Sequence, residues 1–367
     1  MDALPEVAIK NRNEMYTGQE SSLTPTMNNP DRNLFKKPTS ADVARHLGIS
    51  QSTVSLVLNG KAEGRVSQEL QQAIWEAARM LNYKPNRAAK ALREGRARTL
   101  ALVVPQLSNP FFAPVYQGAD QEARKLGYDT ILVNYDHSMS TQEALIEHLF
   151  SHDVDGYVLW DISARSSNLL DQGNVVLVEG RVDGFHSIMV DIPHGIQMAL
   201  QHLLALGHSR IAHLAATVET ETFQARTRAY QQFFAEQGWT LKPEWQVKAP
   251  FSLEGGKEGA LQLLSLPEER PTAILCDGDF LAVGVYKAAK QLGLRIPEDL
   301  SVIGVDNLEL SQYIEPELTT LHIPAYQMGQ AAAQQLIQLL EGQPRAEKVV
   351  WFQTELIKRG SAAAPGQ

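Results

Sequence analysis

The stretch Ser40-Ala41-Asp42-Val43-Ala44-Arg45-His46-Leu47-Gly48-Ile49-Ser50-Gln51-Ser52-Thr53-Val54-Ser55-Leu56-Val57-Leu58-Asn59-Gly60 carries two helix signals separated by a glycine. Thr39 precedes Asp42 by three residues, the spacing of a capping box in which Asp replaces the usual Glu. Val43, Ala44 and Leu47 then form an apolar stripe at helical spacing. Gly48 ends this helix, Ser50 caps a second over 51–58, and Asn59-Gly60 stops it. Ser67 caps a third, in which Leu70, Ile74, Ala77, Ala78 and Leu81 recur at three- and four-residue intervals. The second helix carries Gln51, Ser52, Thr53 and Ser55 on its early turns. Short polar side chains there suit the base edges of a DNA major groove, while Val54, Val57 and Leu58 hold the helix to its scaffold. A purely structural three-helix bundle would show the same periodicity.

Charge sharpens the choice. The whole chain of 367 residues carries a net charge of −9, which is wrong for a nucleic-acid binder taken as a unit. From Lys36 to Arg98, however, there are twelve Lys or Arg against five Asp or Glu, a local +7 that leaves −16 for the rest. A basic module on an acidic body is expected when one end meets phosphate. The composition, 44% hydrophobic and 20% charged, is that of a globular protein, and the length calls for two or three domains. No apolar run approaches the roughly 18 residues that cross a bilayer. Residues 1–36 lack the apolar core of a secretory signal, so a cytoplasmic location is expected. The single cysteine, Cys276, excludes an intrachain disulfide and reads as a small buried hydrophobe.

Residues 1–36 read as a flexible polar arm, 37–82 as the helical module, and 83–98 as a basic hinge. From Thr99 onward strands and helices alternate. Strands are expected at Leu100–Val104, Thr130–Asn134, Gly156–Trp160, Val175–Glu179, Ile211–Ala215, Ala273–Cys276 and Ser301–Gly304. Helices are expected near Ala113–Leu126, Thr141–Ser151, Gly195–Leu206, Gln224–Gln237 and Leu281–Leu292. Such alternation means parallel sheets with crossover helices, the α/β class, here in two similar runs of about 100 residues.

At this point the sequence resembles the LacI/GalR family. Its signature of a D-V-A element, a G-V-S turn and a T-V-S-R-V-L-N recognition helix is closely matched by Asp42-Val43-Ala44, Gly48-Ile49-Ser50 and Thr53–Asn59. The resemblance continues through Val66-Ser67, Leu81–Asn86, Leu92, Asn109-Pro110-Phe111-Phe112, Gly207-His208, Pro297–Gly304 and Pro316–Thr320, covering about Pro38 to Arg359. It implies a three-helix helix-turn-helix domain joined to a two-lobed, doubly wound domain like that of periplasmic binding proteins. That domain would span 99–361, with lobe 1 at about 99–191 plus 321–343 and lobe 2 at about 192–320 plus 344–361.

The implied function is repression of transcription by a homodimer on a palindromic operator in double-stranded DNA, controlled by a small effector between the lobes. The DNA-contacting set would be Thr39, Ser50, Gln51, Ser52, Thr53, Ser55, Leu56 and Asn59, with Asn86, Lys90, Leu92 and Arg93 from the hinge. Leu92 matches the residue that similar proteins wedge into the minor groove. One departure stands out: the usual Arg of the recognition helix is Leu56 here, which exchanges a guanine reader for an apolar contact.

Ligands of doubly wound folds sit at the carboxyl ends of the strands. The candidates are Asn109, Phe111, Phe112, Trp160, Asp161 and Glu179 from the first run, and Arg228, Phe251, Asp277, Asp279 and Asp306 from the second. Arg228 and Asp306 match positions of the family's ligand Arg and Asp; Arg226 is the alternative to Arg228, and Asp279 alternatively caps the helix at Leu281. The family's frequent Asn-Asp pair reads Gly278-Asp279 here. Rings that cover sugar faces, with charged groups for hydroxyls, favour a carbohydrate effector over a nucleobase.

No cofactor is expected. His148 and His152 have helical i,i+4 spacing but no third metal ligand, and no phosphate-binding or nucleophile motif is present. Glu254-Gly255-Gly256-Lys257 has the wrong spacing for a phosphate loop. The competing readings are a sugar-binding component of a transport system and an enzyme of doubly wound fold. The helix-turn-helix opposes the first, and no nucleophile–base pair supports the second.

Overall fold

The computed structural model describes residues 38–84, 95–135, 147, 149–150, 154–161, 174–266, 270–343 and 348–366. The arm at 1–36, the hinge residues Asn86, Lys90, Leu92 and Arg93, and most of the helix expected at 141–151, with His148 and His152, lie outside these residues. The chain divides into two compact units, 1–86 and 87–367.

The first unit has three helices, α1 (Ser40–Leu47), α2 (Gln51–Leu58) and α3 (Gln68–Met80). Each begins at the capping residue expected. Asp42 accepts both the backbone N–H of Thr39 at 2.9 Å and its hydroxyl at 2.7 Å, and these bonds hold its carboxyl down to about 2. Ser50 accepts from the Thr53 N–H at 3.1 Å, and Ser67 from the Leu70 N–H at 3.3 Å. Gly48 takes φ +66, a left-handed cap that glycine adopts without a Cβ penalty. Val43, Val54 and Ile74 are wholly enclosed where the three helices meet.

The second unit contains two six-stranded sheets of the same plan. The first has strand order β11-β5-β4-β3-β1-β2 and the second β12-β10-β9-β8-β6-β7. Their strands are β1 (Thr99–Val104), β2 (Asp129–Asn134), β3 (Gly156–Trp160), β4 (Val175–Val178), β5 (His186–Val190), β6 (Ile211–Ala216), β7 (Gln246–Ala249), β8 (Ala273–Cys276), β9 (Ser301–Asp306), β10 (Thr319–His322), β11 (Val349–Phe352) and β12 (Glu355–Ile357). Among the described residues the strands pair in parallel except β10 with β12. The continuous apolar runs of β1, β3, β4 and β8 follow, since helices cover both faces of parallel sheets. Cys276 is fully buried in β8.

The helices of this unit include α4 (Phe112–Lys125), α5 (Ile192–Ala205), α6 (Glu221–Glu236), α7 (Leu253–Leu264), α8 (Asp279–Gln291) and α9 (Ala325–Leu340). The segment Glu254–Lys257 lies in the first turn of α7, capped by Ser252. Helices α4 and α9 touch backbone to backbone. A Cβ on Gly118 would sit 2.0 Å from the Tyr326 carbonyl oxygen, and one on Gly329 2.0 Å from that of Val115. One boundary differs from expectation. The resemblance places about 344–361 in the second lobe, but Val349–Phe352 pairs in parallel with β5 at the edge of the first sheet. The chain crosses between lobes a third time after Phe352, before β12 closes the second sheet.

The entry into β1 is clamped. The Asp155 carboxylate accepts the N–H of Ala97 at 2.9 Å and that of Thr99 at 2.8 Å. Among the described residues no helix is long and apolar enough to cross a membrane.

Candidate functional site

Helix α2 presents two unlike faces. Val54 and Val57 point into the core, so Ser52, Ser55, Leu56 and Asn59 run along the opposite side at i, i+3, i+4 and i+7. Gln51 and Ser52 are exposed, and Thr53, Ser55, Leu56 and Asn59 are half-buried. Several polar groups on this face are already oriented. Gln51 donates through Nε2 to Ser40 Oγ at 2.9 Å, which ties its amide to α1, and Asn59 donates to the Ser55 carbonyl at 2.7 Å. Ser50 Oγ lies 2.8 Å from both Ser52 Oγ and Thr53 Oγ1. The result is a short polar ridge with one apolar side chain, Leu56, at its middle. Thr39 stands exposed at the start of α1.

In the second unit a cavity of about 330 Å³ opens at the carboxyl ends of both sheets. From the first sheet come Gln106, Asn109, Phe111 and Phe112 after β1, Trp160 and Asp161 at the end of β3, and Glu179 after β4. From the second come Thr217, Val218, Thr220, Thr222, Phe223 and Arg226 after β6, Pro250 and Phe251 after β7, Asp306 at the end of β9, and Ile323 after β10. Three of the carboxylates sit on left-handed backbone: Asp161 (φ 59), Glu179 (φ 52) and Asp306 (φ 105). Non-glycine residues adopt such values at a cost, and they cluster at functional sites.

Phe111, Phe112 and Trp160 pack edge to face, with centroids 5.3–5.6 Å apart. Trp160 donates its indole N–H to Glu179 Oε2 at 3.0 Å, and Thr222 donates its hydroxyl to Oε1 at 3.4 Å. Burial pushes the Glu179 carboxyl above its ordinary range, against the charge of Arg226 and these two hydrogen bonds. Arg226 is 3% exposed, lies over the Phe223 ring at 4.6 Å, donates to the Asp277 carbonyl and stands 3.9 Å from Asp306. Burial also drives the Asp306 carboxyl well above its ordinary range; Arg226 opposes this and the neighbouring carboxylates add to it.

Asn109, Phe111, Phe112, Trp160, Asp161, Glu179, Phe251 and Asp306 are thus brought to one cavity. Three expected residues are not. Arg228 is exposed and pairs with Glu221. It lies about 200° around the helix from Arg226, at about 100° per residue. The buried face of α6 carries Arg226, Ala229, Tyr230, Phe233 and Phe234, so the alternative position is the one that enters the site. Asp277 turns its carboxylate back into the fold, 2.8 Å from His213 Nε2 and accepting the Ala216 N–H at 2.8 Å; only its carbonyl serves the site, through Arg226. Asp279 opens α8 and is fully buried, accepting the Leu308 N–H and the Thr320 hydroxyl, both at 2.7 Å.

The sequence reading missed Gln106, Thr217, Val218, Thr220, Thr222 and Phe223. These follow strands β1 and β6 directly, so the strand-end rule applied a few residues further would have reached them. Among the described residues no group of His, Cys, Asp and Glu is arranged to hold a metal ion.

Comparison with known proteins bears on both sites. Residues 39–86 match the bacterial regulatory proteins of the lacI family, and residues 200–362 match a periplasmic binding protein-like domain. The HTH-type transcriptional repressor PurR of Aliivibrio fischeri is 31% identical over 331 residues, which cover 88% of this chain and 98% of that protein. PurR of Yersinia enterocolitica is 31% identical over 334 residues, 89% of this chain and 97% of that protein. Among solved structures, the lac repressor dimer bound to operator and the anti-inducer ONPF matches with a TM-score of 0.80 at 25% identity, covering 90% of this chain and 100% of that one. The complex of the transcriptional regulator CelR with cellobiose matches with a TM-score of 0.65 at 26% identity, over 88% of this chain and 99% of that one.

Proposed function

The chain belongs to the LacI family of bacterial transcriptional regulators, and on that premise we propose that it represses transcription as a homodimer on a palindromic operator, released or tightened by a carbohydrate in the cavity. That it is a DNA-binding repressor with a ligand-binding effector domain follows from the family. One helix-turn-helix reads a half-site of a few base pairs, and a two-fold pair reads a palindrome. We place the protein in the cytoplasm, where its DNA is, and assign it no turnover, since its relatives are repressors.

The observation that carries the effector reading is the convergence of Phe111, Phe112, Trp160, Glu179, Arg226 and Asp306 on one cavity. Aromatic rings cover the apolar faces of a sugar, and charge-assisted hydrogen bonds take its hydroxyls. Solved relatives were captured with cellobiose and with ribose, which supports the same class of ligand here.

On DNA, Gln51, Ser52, Ser55 and Leu56 read base edges, and Thr39, Ser50, Thr53 and Asn59 position the helix. From the sequence, Asn86 and Lys90 would meet the backbone, and Leu92 and Arg93 the minor groove. The linker runs directly into β1, whose far end leads to Asn109–Phe112 at the cavity, so lobe movements reach the hinge through a single strand.

Selection of genomic fragments bound by the full chain tests the proposal, combined with sedimentation of the free protein and thermal-shift screening against a sugar panel. The expected result is an enriched palindrome, a dimer at micromolar concentration and at least one stabilising sugar. No enriched motif, or a monomer that still binds DNA fully, contradicts it.

A further inference from the structure

The ionisable side chains that line the cavity are Asp161, Glu179, Asp306 and Arg226: three carboxylates against one guanidinium. Arg226 stands 3.9 Å from Asp306. Among the described residues Glu179 forms no ion pair; its two oxygens accept only from neutral groups, the Trp160 indole and the Thr222 hydroxyl. Glu179 is 6% exposed. A carboxylate buried with neutral hydrogen-bond donors and no ion pair of its own is unfavourable unless nearby positive charge compensates it. Burial raises the proton affinity of Glu179, and the charge of Arg226, which also faces Asp306, opposes this, so one guanidinium serves two buried carboxylates.

Among the described residues two buried polar atoms on the facing side of the cavity have no hydrogen-bond partner, Arg226 Nε and Thr220 Oγ1. One calls for an acceptor and the other for a hydroxyl. We propose that the effector is a polyhydroxylated molecule bearing a protonated amine, an amino sugar in its chemistry, with the ammonium at Glu179 and oxygens toward Arg226 and Thr220. This rests on the carbohydrate reading above and narrows it. A neutral sugar meets Arg226 and Thr220 but leaves Glu179 sharing the one guanidinium with Asp306. A phosphorylated or acidic sugar meets three carboxylates.

The test is calorimetric titration of the full chain with glucosamine, galactosamine and mannosamine, each beside its parent hexose and its N-acetyl derivative, below the pKa of the amines. A hydrogen bond to a charged group exceeds a neutral one by enough for about tenfold in affinity. At least one amino sugar should therefore bind about tenfold more tightly than both of its neutral counterparts. Glu179→Gln should bring that ratio toward unity, with circular dichroism showing that the variant is folded. The proposal is overturned if hexoses bind at least as tightly as their amines in every set, or if the preference survives Glu179→Gln. If hexoses bind and amines do not, only the amine is refuted. If no sugar of any kind binds, the carbohydrate reading fails and takes this inference with it.

Discussion

The Thr222 hydroxyl donates to Glu179 Oε1 at 3.4 Å, a bond that runs from the first turn of α6 in the second lobe to the end of β4 in the first. It spans the cleft in which the cavity lies, so a ligand seated there acts on a contact that already joins the lobes. Thr222→Val removes the donor at nearly constant volume. The net worth of one such bond is about 0.5–1.5 kcal/mol, so effector affinity should fall by that amount in a calorimetric titration, with the operator base preference unaltered. An unchanged affinity would show that the bond plays no part in the bound state.

Asp155 accepts two backbone N–H groups, of Ala97 and Thr99, where the chain enters β1. Asp155→Ala leaves both donors without that partner and loosens the junction between hinge and lobe. Effector affinity should stay near wild type, while the effector-induced change in operator affinity shrinks. Full retention of that change would remove Asp155 from the coupling route.

Asp279 supplies a pH signature. Burial raises its carboxyl from 3.8 to about 7. Between those values the unfolded chain has lost a proton that the folded chain keeps, so this group's contribution to stability falls as pH rises through the window and is level above it. Asp279→Asn removes the dependence. The melting temperature of the variant relative to wild type should therefore rise from pH 4 to pH 7. A difference that is constant with pH would contradict the assignment.

On DNA, Gln51→Ala should change which bases are preferred in a selection experiment, because Gln51 is exposed at the start of α2 with its amide braced by Ser40. The salt dependence of binding should change little, since no phosphate-neutralising charge is lost. An unaltered preference profile would mean that another register of α2 faces the bases.

Much of this was legible in the sequence, for local reasons. Thr39, Ser50 and Ser67 announce their helices because a cap depends on its next three residues, and the alternation after Thr99 announces parallel sheets because buried strands are continuously apolar. What failed depended on phase or on distant partners. The family match favours Arg228 over Arg226, although the stripe Ala229, Tyr230, Phe233 and Phe234 in α6 already fixes which arginine shares the buried side. Asp277 and Asp279 stand at a strand end, as expected of ligand residues. Their carboxylates turn away toward His213 and Ala216, and toward Thr320 and Leu308, partners up to 64 residues distant that no local pattern reveals. Val349–Phe352 is absent from the strands expected, and its membership of the first sheet is set by β5, far back in the chain.

The central claim is that a ligand held at Arg226 and Asp306 controls DNA binding. The most direct measurement is operator affinity with and without the sugar that shifts it most, in wild type, Arg226→Ala, Asp306→Asn and Arg228→Ala. Couplings of this kind amount to about 1–3 kcal/mol, or roughly 5–150-fold. Arg226→Ala and Asp306→Asn should abolish the shift while ligand-free operator affinity holds, and Arg228→Ala, whose side chain pairs with Glu221 outside the cavity, should keep it in full. A shift that survives in Arg226→Ala and disappears in Arg228→Ala would contradict the account.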